Sequence, residues 1–342
     1  MMIIRARAPL RIGLAGGGTD VSPYADIYGG AILNATISIY AHATITPNTS
    51  EKIKFESLDL DESMTHRKTK YIKIDGTLDL IKGCHNRIFA NHKGKLPAYS
   101  MSTHVDVPKG SGLGASSTVT VAMVGAFKEW LKLPLGDYDI ARTAYDIERT
   151  DLKIAGGRQD QYAATFGGFN FMEFYADEKV IVNPLRIRPE YYQELELNLL
   201  IYYTGTSRLS STIIEKQASN FTGKKEQSLD AAHKLKEQAI LMKEALLTGR
   251  LKDIGEILDY GWQQKKKTAV GITNPLIDEI YELALKNGAT GGKISGAGGG
   301  GFLMLYAPNN SRYKVIKALE PMGGVFKPFN FVQQGMTSWI VK

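Results

Sequence analysis

Ile3 to Ile12 and Gly30 to Thr46 read as strands, the second rich in Ile, Thr and Tyr with apolar and polar positions roughly alternating. Lys52 to Ile74 continues as β structure with a charged tip at Asp59 to Lys70. The pattern becomes helical over Leu78 to His92 and Ser116 to Lys132, and Asp137 reads as the cap of another helix running to about Leu152. Strands return at Gly168 to Phe174, Lys179 to Ile187 and Leu195 to Tyr203. Ser210 to Asn287 is mainly helical, most clearly over Glu226 to Leu247, and Gly292 to Tyr306 changes to strand. The tail reads helix, strand, strand over Tyr313 to Leu319, Gly324 to Phe331 and Met336 to Val341. No repeat, low-complexity tract or proline-rich linker interrupts the chain.

At 342 residues the chain is long for one core, so two domains are expected. The boundary is placed near Pro184 to Pro189, giving units 1–187 and 188–342. Hydrophobic content of 43% is ordinary, and no apolar run approaches the roughly 20 residues of a membrane span. Arg5 and Arg7 interrupt what would be the apolar core of an export signal, so none is expected. The single cysteine, Cys84, excludes an intrachain disulfide, reads as a small buried hydrophobe and suggests a reducing, cytoplasmic setting.

A net charge of +7 invites a nucleic-acid reading, but the 42 Lys and Arg are interleaved with 35 acidic residues. The runs Lys224-Lys225 and Lys265-Lys-Lys267 are short, and no RNA-recognition, zinc-finger or basic-zipper pattern is present. Neither nucleic acid nor membrane is expected as a partner. An enzyme that steers anionic substrates explains the same balance.

The most informative segment is Pro108-Lys-Gly-Ser-Gly-Leu-Gly-Ala-Ser-Ser-Thr118, leading into the apolar Val119 to Trp130. Gly110, Gly112 and Gly114 leave backbone N–H groups open to a bulky anion, at the start of a helix whose dipole points at the same place. Ser116 and Ser117 add hydroxyls that either cap that helix or reach a phosphate-bound metal. The segment is not a Walker A loop, because Gly114 is followed by Ala115-Ser116 rather than Lys-Ser or Lys-Thr. Gly296-Ala-Gly-Gly-Gly-Gly301 matches the dinucleotide fingerprint literally, yet it precedes the strand-like Phe302 to Tyr306, so it reads as a flexible turn where a ligand or another backbone comes close. A third cluster lies in Ala8-Pro-Leu-Arg-Ile-Gly-Leu-Ala-Gly-Gly-Gly-Thr-Asp20.

Taken in this order, with Arg11 and Asp20 in the first, the three clusters resemble the GHMP kinases. The matches fall at Pro9 to Asp20, Pro108 to Ser117 and Lys293 to Gly301. Within that family, the triple glycine before Thr19-Asp20 and the stretch Tyr203-Thr-Gly-Thr-Ser-Arg208 are most similar to the kinases of D-glycero-D-manno-heptose 7-phosphate. The resemblance implies an α+β GHMP kinase fold of two domains, the second ferredoxin-like, with the active site between them. It also implies ATP, Mg²⁺ and a phosphorylated sugar acceptor, phosphorylated at its anomeric hydroxyl. Rival readings are a galactose- or fucose-type anomeric kinase and a non-catalytic sugar- or nucleotide-binding protein of the same fold.

Read from the residues alone, Glu148 shares a helix face with Tyr138, Ala141, Tyr145 and Leu152 and has no basic partner three or four residues away. It is either a surface glutamate or a functional one. Asp160, in Ala155-Gly-Gly-Arg-Gln-Asp160, is either a helix N-cap or a catalytic carboxylate. The resemblance assigns roles. Asp160 would orient or accept the proton of the attacking hydroxyl, and Arg11 would neutralise charge near the transferred group or pair with Asp160. Glu148 and Ser116 would bind Mg²⁺, with Ser117 as the alternative because Ala115 stands where the family commonly has its first serine. Lys109, Gly110, Ser111, Gly112, Leu113, Gly114, Ala115, Ser116 and Ser117 would hold the nucleotide. Gly17, Gly18, Thr19, Asp20, Gly298 and Gly299 would contact the acceptor. Its far phosphate is assigned to Thr206, Ser207 and Arg208, with Lys265 to Lys267 as a supplement. None of the six histidines, His42, His66, His85, His92, His104 and His233, has a metal-ligand spacing, so no zinc site is expected.

Overall fold

The computed structural model describes residues 2–206 and 210–341. Its larger sheet contains β1 (Ile3–Ala15), β2 (Gly30–Asn48), β3 (Lys52–Ser57), β4 (Glu62–Arg67), β5 (Ala98–Val105), β6 (Phe169–Phe174) and β7 (Val180–Pro184). The smaller sheet contains β8 (Leu199–Tyr203), β9 (Gly291–Ile294), β10 (Phe302–Tyr306) and β11 (Val325–Phe326). The last strand, β12 (Thr337–Val341), returns to the larger sheet and pairs antiparallel with β1. The helices are α1 (Tyr24–Tyr28), α2 (Asp79–Phe89), α3 (Ala115–Leu131), α4 (Asp137–Asp146), α5 (Gln159–Phe166), α6 (Pro189–Asn198), α7 (Ser210–Thr222), α8 (Glu226–Thr248), α9 (Ile254–Thr268), α10 (Pro275–Lys286) and α11 (Arg312–Leu319). Among the described residues, no helix is long and apolar enough to cross a membrane.

Strand order in the larger sheet is β12-β1-β2-β5-β3-β4, with β6 and β7 added along β2. The long β2 pairs with β6 through residues 30–35 and with β5 through residues 41–48. In the β1–β2 ladder the register shifts twice, between Pro9 and Arg11 and between Gly13 and Ala15. Such irregularities re-aim side chains, and Arg11 lies between these two.

In the smaller sheet the order β11-β8-β10-β9 is fourth, first, third, second along the chain, with antiparallel pairing throughout. Helices α7 to α10 separate its first two strands and α11 its last two. This is the ferredoxin-like arrangement expected.

Helix α3 is the buried axis of the fold. Every residue from Ser117 to Phe127 is buried, which is why the segment is apolar all round rather than on one stripe. It packs on β1 and β2 and is flanked by α2, α4 and α5, so its N-terminus is held rigidly.

Four local expectations are corrected. Asp137 does not cap α4: Gly136 occupies that position, and Asp139 accepts its N–H at 2.9 Å. The helix does not run evenly to Leu152, because Ile147–Asp151 forms a π-turn that Leu152 closes by donating its N–H to Ile147 O at 3.0 Å. Residues 195–198 belong to α6, not to a strand. The alternation Glu194-Leu-Glu-Leu-Asn198 imitates a strand, yet Pro189 at the first turn starts a helix that carries through it. Finally, of Gly324 to Phe331 only Val325 and Phe326 pair in the smaller sheet, with Phe331 bridging to Ile37 across the first.

Candidate active site

A cavity of about 470 Å³ opens where the end of β1, the loop before α3, the π-turn, the start of α5 and helices α7 and α9 meet. Three glycine clusters from distant parts of the chain come together beside it, and one side chain joins them. Arg11, only 3% exposed, directs Nε and Nη2 to Asp160 Oδ1, each at 2.7 Å. Its Nη1 donates to Gly112 O at 2.8 Å and to Ser295 Oγ at 3.4 Å, and its backbone N–H reaches Leu113 O.

The second and third clusters touch backbone to backbone. A Cβ on Gly112, which has φ +79°, would lie 2.4 Å from Ser295 O, and one on Gly296 2.7 Å from Gly112 O. Phe302 N–H donates to Ser111 O across the same seam. The turn from Ser295 to Gly301 does connect two strands, and the approaching backbone there is the nucleotide-type loop itself.

That loop presents Lys109, Gly110, Ser111, Gly112, Gly114, Ala115, Ser116 and Ser117 to the cavity. Leu113 instead turns into the hydrophobic core, fully buried. Gly114 precedes α3 in a left-handed conformation with no side-chain cap among the described residues, so the first turn of the helix is left open toward the cavity. Asp160 stands against it: a Cβ on Gly114 would lie 3.1 Å from Asp160 Cγ.

Glu148 is 1% exposed and belongs to the π-turn, which rotates it off the α4 face and onto the cavity wall. Its Oε1 accepts from Ser116 Oγ at 2.8 Å, and its Oε2 accepts from Gln161 Nε2, which also donates to Ser117 Oγ. Arg149 Nη1 lies 3.9 Å away and bridges the following loop through Ile154 O and Gly157 O. Neither Gln161 nor Arg149 was singled out from the sequence. Gln161 lies on the same short helix as Asp160, and Arg149 directly follows Glu148, at a spacing where a helix-pair search does not look.

Asp20 is 2% exposed, and its Oδ2 accepts the backbone N–H groups of Arg158 and Gln159. It thus caps α5, leaving Asp160 in the first turn rather than at the cap. Gly18 and Asp20 line the cavity, whereas Thr19 is fully buried with its hydroxyl bonded to Gly16 O and Ala31 O, and Gly17 O accepts from Lys265 Nζ. From the third cluster Gly296 and Ala297 form the wall. Gly298 and Gly299 pack on Ile272, whose carbonyl accepts the Gly299 N–H at 2.7 Å. Thr206 bonds through its carbonyl to Gly301 N–H, while Ser207 and Arg208 lie outside the described residues. Of the lysine run, Lys265 lines the cavity and Lys266 stacks over Trp262. Leu78, Val105, Val107, Val119 and Met123 give the cavity wall an apolar part.

A carboxylate paired with an arginine thus faces an open helix start across a glycine loop, and kinship makes the chain a phosphotransferase that acts on an alcohol group. The chain belongs to the GHMP kinases: the family's N-terminal domain matches residues 79–168 and its C-terminal domain residues 242–322. A D-glycero-alpha-D-manno-heptose 7-phosphate kinase of Campylobacter jejuni is 46% identical over 339 residues, covering 99% of both chains. The crystal structure of a D-glycero-D-manno-heptose 1-phosphate kinase from Bacteroides thetaiotaomicron is 41% identical over 98% of both chains, with a TM-score of 0.84. Galactokinase of Lactococcus lactis, at 19% identity and a TM-score of 0.77, shares the fold.

Proposed function

We propose that the protein transfers the γ-phosphoryl group of ATP to the anomeric hydroxyl of D-glycero-D-manno-heptose 7-phosphate, forming the 1,7-bisphosphate in the cytoplasm. The observation that carries this reading is Asp160, held by Arg11 and set against Gly114 on the cavity wall. Phosphoryl transfer asks little covalent chemistry of a protein and depends on positioning and charge. Asp160 orients the attacking hydroxyl and takes its proton, Arg11 offsets charge on the transferred group, and the amides around Gly110 to Ser117 hold the nucleotide phosphates. The apolar part of the wall, around Val107 and Met123, suits a purine base.

Glu148 and Ser116 are suited to Mg²⁺. Both present hard oxygens to the cavity within one hydrogen bond of each other, and a cation of this kind takes one or two protein oxygens and completes its shell with phosphate and water. Held by Glu148 and Ser116, Mg²⁺ would supply positive charge against the nucleotide's phosphates. Gln161 Nε2 holds the other carboxylate oxygen, Oε2.

The kinship to a heptose 7-phosphate kinase supports the acceptor. The name of the Bacteroides structure puts a phosphate at the other end of the sugar, so the position of transfer is the point to measure. ATP consumption is to be followed with heptose 7-phosphate, the unphosphorylated heptose, galactose and fucose, and the product read by phosphorus NMR. A new anomeric phosphate on heptose 7-phosphate is expected. Preference for galactose or fucose would point to a simple-sugar kinase, and no turnover with any sugar would leave a binding protein.

A further inference from the structure

Three cations are buried around the first glycine cluster: Arg11, Lys265 and Lys293 are 3%, 3% and 4% exposed. Lys265 donates to Gly17 O at 2.9 Å and Lys293 to Gly13 O at 2.9 Å, leaving each ammonium with N–H donors to spare among the described residues. Among the described residues, neither carboxylate of the group hydrogen-bonds these two ammoniums. Asp160 Oδ1 serves Arg11, and Asp20 Oδ2 serves the amides that open α5. A buried cation with one neutral acceptor is costly unless an anion completes the site. Burial pushes the Lys265 ammonium down to about 8 against the opposing attraction of Asp20, and that of Lys293 to about 7 with Lys265 adding to the fall, Arg11 lowering both.

Of these two lysines, Lys265 lines the cavity, and the chain is kept bare in front of it. Gly18 has φ +104°, and a Cβ there would lie 2.7 Å from Lys265 Nζ and 3.5 Å from Gln217 Nε2. Gln217, on α7, is fixed in turn by donating to Thr268 Oγ1 at 2.7 Å. An ammonium and a side-chain amide thus converge on one glycine at the cavity wall.

We propose that Lys265 and Gln217, facing Gly18, form an anion subsite for the phosphate that the acceptor already carries. The subsite rests on the kinase reading above, and its chemistry requires a phosphomonoester acceptor. On that reading the loop before α3 takes the nucleotide's phosphates, which leaves Lys265 for the second substrate.

The test compares the parent enzyme with Lys265→Met and Gln217→Leu, using heptose 7-phosphate and the unphosphorylated heptose at saturating ATP. Lys265→Met should raise KM for heptose 7-phosphate roughly 10- to 100-fold, as for loss of a hydrogen bond to a charged group, and Gln217→Leu by a few-fold. KM for ATP and kcat/KM for the unphosphorylated sugar should stay unchanged. Equal effects on both sugars, or none on the phosphorylated one, overturn the subsite and leave the kinase reading intact. If the parent enzyme refuses heptose 7-phosphate altogether, the kinase reading fails instead. Inorganic phosphate, titrated against thermal unfolding with saturating ADP present, then decides the subsite. A phosphate-induced rise in Tm that Lys265→Met abolishes supports it, and the same rise in both proteins overturns it. Should Lys265→Met not fold, Gln217→Leu carries both arms.

Discussion

Asp20 Oδ2 accepts the backbone N–H of Arg158 at 2.9 Å, capping α5 from across the fold, with Gln159 N–H at 3.1 Å on the same oxygen. The contact is tight: a Cβ on the neighbouring Gly157 would lie 1.9 Å from Asp20 Oδ2. A residue expected to meet the acceptor therefore also fixes the helix that presents Asp160. Asp20→Ala should lose about 1–2 kcal/mol of stability, as for a lost N-cap, together with activity. Asp20→Asn, which keeps one acceptor oxygen, should recover most of the stability in urea unfolding. If both variants are as stable as the parent, the cap contributes nothing.

Asp160→Asn should leave folding and ATP binding intact and lower turnover by roughly 10²- to 10⁴-fold, the range for removing a positioned base. The amide still meets the Arg11 guanidinium but no longer takes a proton. Single-turnover rates with bound ATP measure this directly, and near-parent turnover would remove Asp160 from the chemistry.

Glu148→Gln should raise the Mg²⁺ concentration needed for half-maximal activity while leaving metal-free nucleotide affinity unchanged. Gln161→Leu should do the same more weakly, because it frees the Glu148 carboxylate without removing it. An Mg²⁺ titration that neither substitution shifts would sink the ligand assignment.

Lys293 makes stability depend on pH. Its pKa falls from the ordinary 10.5 to about 7 through burial, and Lys265 and Arg11 push it the same way. Between those values the unfolded chain holds a proton that the folded chain has released, so stability rises with pH across that window and falls as pH drops through it. From pH 7 to pH 9 the parent protein should gain on the order of 1–2 kcal/mol relative to Lys293→Met, measured by denaturant unfolding at each pH. Parallel pH profiles for the two proteins would refute the buried charge.

His85 acts at the acid end. Buried, and hydrogen-bonded to Tyr99 OH at 2.7 Å and Thr69 O at 2.9 Å, its pKa is lowered to about 4 chiefly by desolvation. The unfolded chain takes up a proton near the ordinary 6.5 that the folded chain refuses, so stability is lost as pH falls from there toward 4. His85→Gln should flatten that loss, and an unchanged acid limb of the stability curve would count against it.

The sequence by itself made most of the strands and helices and the three glycine clusters legible, because periodicity and glycine spacing are local properties, but not α1 or α6; the roles of Arg11, Glu148 and Asp160 came from the family resemblance. It misjudged places where local pattern and tertiary need diverge. The alternation in Glu194 to Asn198 was overridden by a helix that Pro189 starts. Glu148, read as lying on an even helix face, depends on a π-turn for its aim. What only the tertiary structure decided is which groups face one another. That Arg11 joins Gly112, Ser295 and Asp160, that Asp20 caps a helix it does not precede, and that Lys265 and Lys293 stand buried on Gly17 and Gly13 are contacts between residues 101 to 284 apart. Their cause lies in the register shifts around Arg11 and in the closure of the ferredoxin-like layer onto the first glycine cluster. Sequence spacing carries no trace of a contact made by backbone carbonyls and desolvated charges from opposite ends of the chain.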